Sequence, residues 1–216
     1  MPHIATAKGM SDQNRRGFWL RHLHRWHWIS SGLCLIGMLL FAATGITLNH
    51  AGDIAATPVV TSRQAMLPPP ALRLLQDAVP QDSRKPLPDA VRAAAGQALG
   101  IAIPPSDADW SDELIYLDLP RPGGEATLSI DRATGDISYE RTDRGWVSYF
   151  NDLHKGRNAG PAWGWFIDIF AGACLVFTIT GLVLLQLHAG NRPATWPIVG
   201  FGLLVPLLLA LLFIHR

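Results

Sequence analysis

The 216-residue chain is short of charge: Asp, Glu, Lys and Arg make up 16% of it, where a soluble domain averages about 25%. The shortage is local. Residues 26–52, 169–191 and 193–215 contain no charged residue at all, and each run exceeds the roughly 20 residues a helix needs to cross hydrocarbon. An ordinary cytosolic enzyme and a disordered protein are thereby excluded. Cysteine is also scarce: 2 residues, Cys34 and Cys174, cannot staple a disulfide scaffold and read as small apolar helix residues. No Cys-x-x-Cys-His occurs, which excludes thioether-linked haem. The formal net charge of +1 gives no electrostatic footprint for nucleic acid. A phosphate loop, a dinucleotide fingerprint and a nucleophilic triad are likewise missing.

What is present falls into an order. Residues 1–25 carry Lys8, Arg15, Arg16, Arg21 and Arg25 against the single acid Asp12, and basic flanks stay cytoplasmic. The Arg15-Arg16 pair belongs to this anchor. The apolar run after it is longer than the 7–15 residues or so of a signal-peptide core. The first span is therefore expected at 26–50, running outward. Residues 51–162 hold 15 acids and 11 Lys/Arg, a net charge of −4, which suits an exported segment. Within it, the prolines at 58, 68, 69 and 70 mark a linker over 51–86. The spacing of Ala90, Val91, Ala94 and Leu99 predicts an amphipathic helix over 88–99. Residues 114–119 alternate as a strand, and 126–130 and 137–139 flank a Gly-containing hairpin turn at 131–136. The α+β domain so delimited is 87–145, with a lead-in at 146–162. The second span is expected at 163–188, a cytoplasmic loop with Arg192 at 189–195, and a third span at 196–214, kinked by Pro206. The fold class is thus integral membrane α-helical, with three transmembrane helices and a small periplasmic α+β domain between helices 1 and 2. Lipid is the implied partner, and Trp26, Trp28, Trp163, Trp165 and Trp196 cluster at the expected boundaries, where indoles prefer to sit.

The histidines repeat a pattern. Leu23-His24-Arg25 opens the first span, and Thr44-Gly45 with His50 closes it. Leu153-His154-Lys155 precedes the second, and Thr180-Gly181 with His188 closes that. The spans run in opposite directions, so the copies have inverted topology, an arrangement that often places function at the repeat interface. His24 and His50 are 26 residues apart, which is ~39 Å along a helix, so pairing must occur between helices. The expectation is two sites, His24 with His188 near one surface and His50 with His154 near the other. His22 and His27 compete with His24, and His27 lies nearly one turn deeper. His3 and His215 read as surface residues. Two facing imidazoles complete an electron-transfer haem with no open position. Small residues (Ser30, Ser31, Gly32, Gly37, Ala171, Gly172 and Ala173) leave room for a flat macrocycle, so two b-type haems are the expected cofactors. Asp168 is the one acid inside an expected span; a carboxylate there must face protein or water. A proton or propionate-linked role, a hydrogen bond to a ligand histidine and helix–helix glue all remain open for it.

Leu23-His24-Arg25-Trp26, Thr44-Gly45, and Asp168 with Thr180-Gly181 resemble the PepSY-associated transmembrane family of bacterial inner-membrane proteins. Ile130-Asp131-Arg132-Ala133-Thr134-Gly135-Asp136 resembles the closing hairpin of a PepSY domain. The resemblance covers residues 18–190 or so. It implies an inner-membrane protein with a periplasmic PepSY domain, related to haem-containing reductases of ferric siderophores whose ligand histidines match His24, His50, His154 and His188. It also implies electrons drawn from the quinone pool or a redox partner protein and passed to a periplasmic acceptor such as a ferric siderophore. The chain departs from the reductases in having three expected spans where they commonly have four or more, and in carrying no flavin or NAD-binding domain. A ferric-chelate reductase, or a subunit of one, is the implied enzyme. The alternative is a non-catalytic, membrane-anchored PepSY module that binds or regulates a partner protein.

Overall fold

The computed structural model describes residues 4–77 and 83–214; His3 and His215 lie outside them. The chain divides into two compact units. One holds the residues up to Leu39 and from Asp168 on, and the other is Leu40–Ile167.

Among the described residues three helices are long and apolar enough to cross a membrane: Asn14–Asn49, Pro161–His188 and Thr195–Ile214. The first is the apolar part of α1, which runs unbroken over Ile4–Asn49, so the basic segment expected to precede the first span is helical too. The second is α5, Pro161–His188. The third comprises α6, Thr195–Leu209, and a π turn over Ala210–Ile214. Pro206 does not end the helix; the ladder widens to the π pattern four residues later.

The polar middle folds as α2, α3 and a six-stranded sheet of order β1-β6-β5-β4-β3-β2, with every neighbouring pair antiparallel. The strands are β1 Val59–Met66, β2 Ser83–Pro86, β3 Asp107–Trp110, β4 Leu114–Arg121, β5 Gly124–Asp131 and β6 Asp136–Asp143, with α2 at Pro69–Asp77 and α3 at Asp89–Leu99. Leu67, Ala71 and Leu75, from α2 and the turn before it, and Val91, Ala95 and Leu99 of α3 pack on Ile115, Leu117, Leu128, Ile130 and Ile137 of the sheet. One face of the sheet is thus covered and the other is polar, the usual state of an antiparallel sheet. Burying each of these Leu and Ile side chains stabilises the domain by about 1.5–3 kcal/mol.

Residues 59–66 correct the expectation of a linker. They form β1 and pair along their full length with β6, from Val59 opposite Asp143 to Met66 opposite Asp136. The sequence hides this strand because it is an edge. Every residue but Ala65 is exposed, so no buried alternation marks it. The expected hairpin is present between β5 and β6. Asp131 Oδ1 accepts from the backbone N–H groups of Ala133 (2.9 Å) and Thr134 (2.8 Å), and Gly135 takes the left-handed conformation at φ 80° that closes the turn. The N–H of Thr134, and less strongly that of Ala133, holds the Asp131 carboxyl below its ordinary pKa.

Candidate functional site, two groups of histidines

In the first unit, α1 and α5 bring His24 and His188 together. Their ring centres are 6.0 Å apart with the planes nearly perpendicular, at 86°. Each Nδ1 lies against the carbonyl oxygen one turn back on its own helix, Leu20 O at 2.8 Å for His24 and Leu184 O at 2.7 Å for His188. A carbonyl only accepts, so these contacts are hydrogen bonds when Nδ1 carries the proton, and a neutral ring in that tautomer keeps its lone pair on Nε2. Both rings are exposed. His22 instead packs on Phe18 of its own helix, with ring centres 4.1 Å apart.

His27 docks on α5. Its ring stacks on Phe177 at 4.7 Å and 12°, and its Nδ1 is 3.1 Å from Thr180 Oγ1 and 3.2 Å from Phe177 O. A Cβ at Gly181 would stand 3.2 Å from His27 Cε1, close enough to shift the ring by a few tenths of an ångström. Further along α1, a Cβ at Gly37 would overlap the ring of Phe170.

In the second unit, α4 (Gly145–Lys155) docks on the end of α1. His154 Nδ1 meets Thr44 Oγ1 at 2.7 Å, its ring lies 4.9 Å from that of Phe41, and a Cβ at Gly45 would stand 3.6 Å from its Cε1. One turn earlier, buried Asn151 accepts a hydrogen bond from Thr47 Oγ1 at 2.8 Å. The helix then stops at left-handed Gly156, whose N–H donates to the Leu153 carbonyl at 3.1 Å, and Trp163 Nε1 of α5 donates to the same carbonyl at 2.8 Å. His154 therefore sits on a separate helix ahead of the second span.

His50 pairs with Asp53 at 3.2 Å, and both side chains are largely exposed. Among the described residues no hydrogen bond or ring contact joins His50 to His154, whose Nδ1 and ring meet Thr44 and Phe41. Asp168 is exposed on α5 and has no hydrogen bond or ion pair among the described residues. No cluster of three or more His, Cys, Asp or Glu that could hold a metal ion occurs among them either.

The chain matches the family described as "Putative PepSY_TM-like" over residues 18–215. It belongs to that family. No curated protein and no solved structure matches it. Both histidine groups, the sheet domain, the second and third apolar helices and all but the first four residues of the first fall inside the PepSY_TM-like match.

Within this PepSY_TM-like chain the fit to haem differs between the two expected sites. A metal bonded at about 2 Å to one nitrogen of each of two imidazoles sets the ring centres roughly 6 Å apart. His24 and His188 meet that spacing with both Nε2 atoms free. For His50 and His154 no ring contact occurs among the described residues: His50 meets Asp53, and His154 meets Thr44 and Phe41. The sequence pattern also missed two contributors, Phe41 and Phe177. The signal was available: Phe41-Ala42-Ala43-Thr44-Gly45 and Phe177-Thr178-Ile179-Thr180-Gly181 share Phe-x-x-Thr-Gly. The pattern further equated His24 with His154, whereas the residue with the same contacts as His154 is His27.

Proposed function

We propose that this PepSY_TM-like protein is a b-type haem electron carrier of the bacterial inner membrane, with a cytoplasmic N-terminus and a periplasmic sheet domain. The observation that carries the reading is the facing pair His24 and His188. Haem held between two imidazoles supplies one-electron transfer with no open coordination position. The carbonyls of Leu20 and Leu184 fix the ring orientation and proton position of the two histidines, as partners of ligating imidazoles commonly do. The apolar helices keep competing aqueous chemistry away. Electrons then come from quinol or a redox partner protein and pass to a periplasmic acceptor such as a ferric siderophore, with the sheet domain positioning the acceptor or the partner. Asp168, exposed within an apolar helix, is expected to meet water or protein in the membrane.

A second reading, a membrane-anchored module that binds a partner protein, draws support from β1. This edge strand leaves one row of backbone N–H and C=O groups open to pairing. One experiment separates the two. The full chain, expressed with adequate haem supply and purified in detergent, gives oxidised and reduced visible spectra and a pyridine haemochromogen assay. A b-type spectrum that His24→Ala and His188→Ala each abolish is the expected result. A haem-free wild type would refute the carrier and leave the binding module.

A further inference from the structure

The same constellation surrounds His27 and His154, once in each unit: an aromatic ring from Phe177 or Phe41, a hydroxyl from Thr180 or Thr44, and a bare backbone at Gly181 or Gly45. Counting protons in it gives a definite answer. A threonine hydroxyl has one proton to donate. Thr180 Oγ1 lies 2.7 Å from Val176 O and 3.0 Å from Phe177 O. Thr44 Oγ1 lies 2.8 Å from Leu40 O and 3.2 Å from Phe41 O. Carbonyl oxygens only accept, so each hydroxyl proton is directed back into its own helix. The lone pairs of the hydroxyl remain, and the histidine Nδ1 faces them at 3.1 Å in one copy and 2.7 Å in the other. For His27 the argument is doubled, because Nδ1 also faces the Phe177 carbonyl at 3.2 Å and an unprotonated nitrogen there would set lone pair against lone pair.

We infer that Thr180 and Thr44 are positioning residues that hold His27 and His154 as Nδ1–H tautomers, so that each presents Nε2 as an electron-pair donor to a metal, haem iron included. A neutral imidazole carries one N–H, so a proton fixed on Nδ1 leaves Nε2 bare. The phenylalanine packs on the ring and the hydroxyl sets the proton. The chain thereby holds two further ligand-competent imidazoles beyond His24 and His188. The metal assignment rests on the haem reading above; the tautomers do not.

The test uses the full chain in detergent micelles with isotope-labelled histidine, at about pH 8, above the ordinary imidazole range. Long-range proton–nitrogen correlation spectra distinguish Nδ1–H from Nε2–H rings, and His27→Gln and His154→Gln assign the signals by their loss. The expected result is an Nδ1–H pattern for both rings. Thr44→Val should cost His154 that pure pattern, while Thr44→Ser keeps it; Thr180→Val should disturb His27 less, because the Phe177 carbonyl still faces Nδ1. An Nε2–H pattern at either ring of the wild type overturns the inference, as does a Thr44→Val variant whose His154 pattern is unchanged. If the valine variants fail to fold, the wild-type and serine spectra decide alone. Haem-free protein with both rings Nδ1–H would refute the haem reading while upholding this one. Haem-loaded protein with Nε2–H rings would do the reverse.

Discussion

The facing histidines depend on how closely α1 and α5 approach, and Gly37 controls that approach. A Cβ at this position overlaps Phe170 Cε2 and stands 2.8 Å from its Cζ. Two opposed terms act on Gly37→Ala. Replacing glycine by alanine inside a helix is favourable by about 0.8–1.0 kcal/mol. Forcing an extra methyl into a packed contact costs about 1–3 kcal/mol. In the wild-type background the second term wins or nearly balances the first, so Gly37→Ala is expected to destabilise by about 0–2 kcal/mol from those two ranges. In a Phe170→Ala background the overlap is gone, and the same substitution should stabilise by about 1 kcal/mol. The sign reversal amounts to a coupling of about 1–3 kcal/mol in a double-mutant cycle. The assay is reversible unfolding of all four proteins in mixed micelles, followed by the helical circular dichroism signal. Equal stabilisation by Gly37→Ala in both backgrounds would refute the close approach, and with it the geometry that sets His24 against His188.

Other outcomes follow from the sheet domain. Leu128 is fully buried in β5, so Leu128→Ala should destabilise the domain by about 2–5 kcal/mol, read as a lower midpoint in urea with an unchanged slope. The Asp131 carboxyl is held below its ordinary pKa chiefly by the Thr134 N–H. A depressed folded-state pKa contributes stability that is present above the unfolded value, near 3.9 for Asp, and is lost as pH falls through the folded value. Asp131→Asn should therefore lower stability at neutral pH and shrink the loss on acidification below about pH 4. An acid titration of stability unchanged by Asp131→Asn would contradict the turn assignment.

Much of this was legible in the sequence. Uncharged runs mark the three long helices because lipid tolerates few charges, whatever the helices pack against. Alternation in 114–119 and 126–130 marks β4 and β5 because these central strands bury one face, and Asp131 with Gly135 marks the turn between β5 and β6 because only local backbone geometry is involved. The edge strand β1 was not legible: with both faces exposed it leaves no periodic trace, and only its register with β6 defines it.

For the site, the sequence by itself determined that histidines bound the apolar runs and that a Thr-Gly pair recurs. It could not determine which imidazoles meet, since that depends on how far one helix slides along another, and a shift of one turn exchanges His24 for His27. Tertiary structure decided that His24 faces His188 while His27 and His154 occupy matching cradles, because the register in which the helices dock sets His27 against Phe177 and Thr180 and His154 against Phe41 and Thr44.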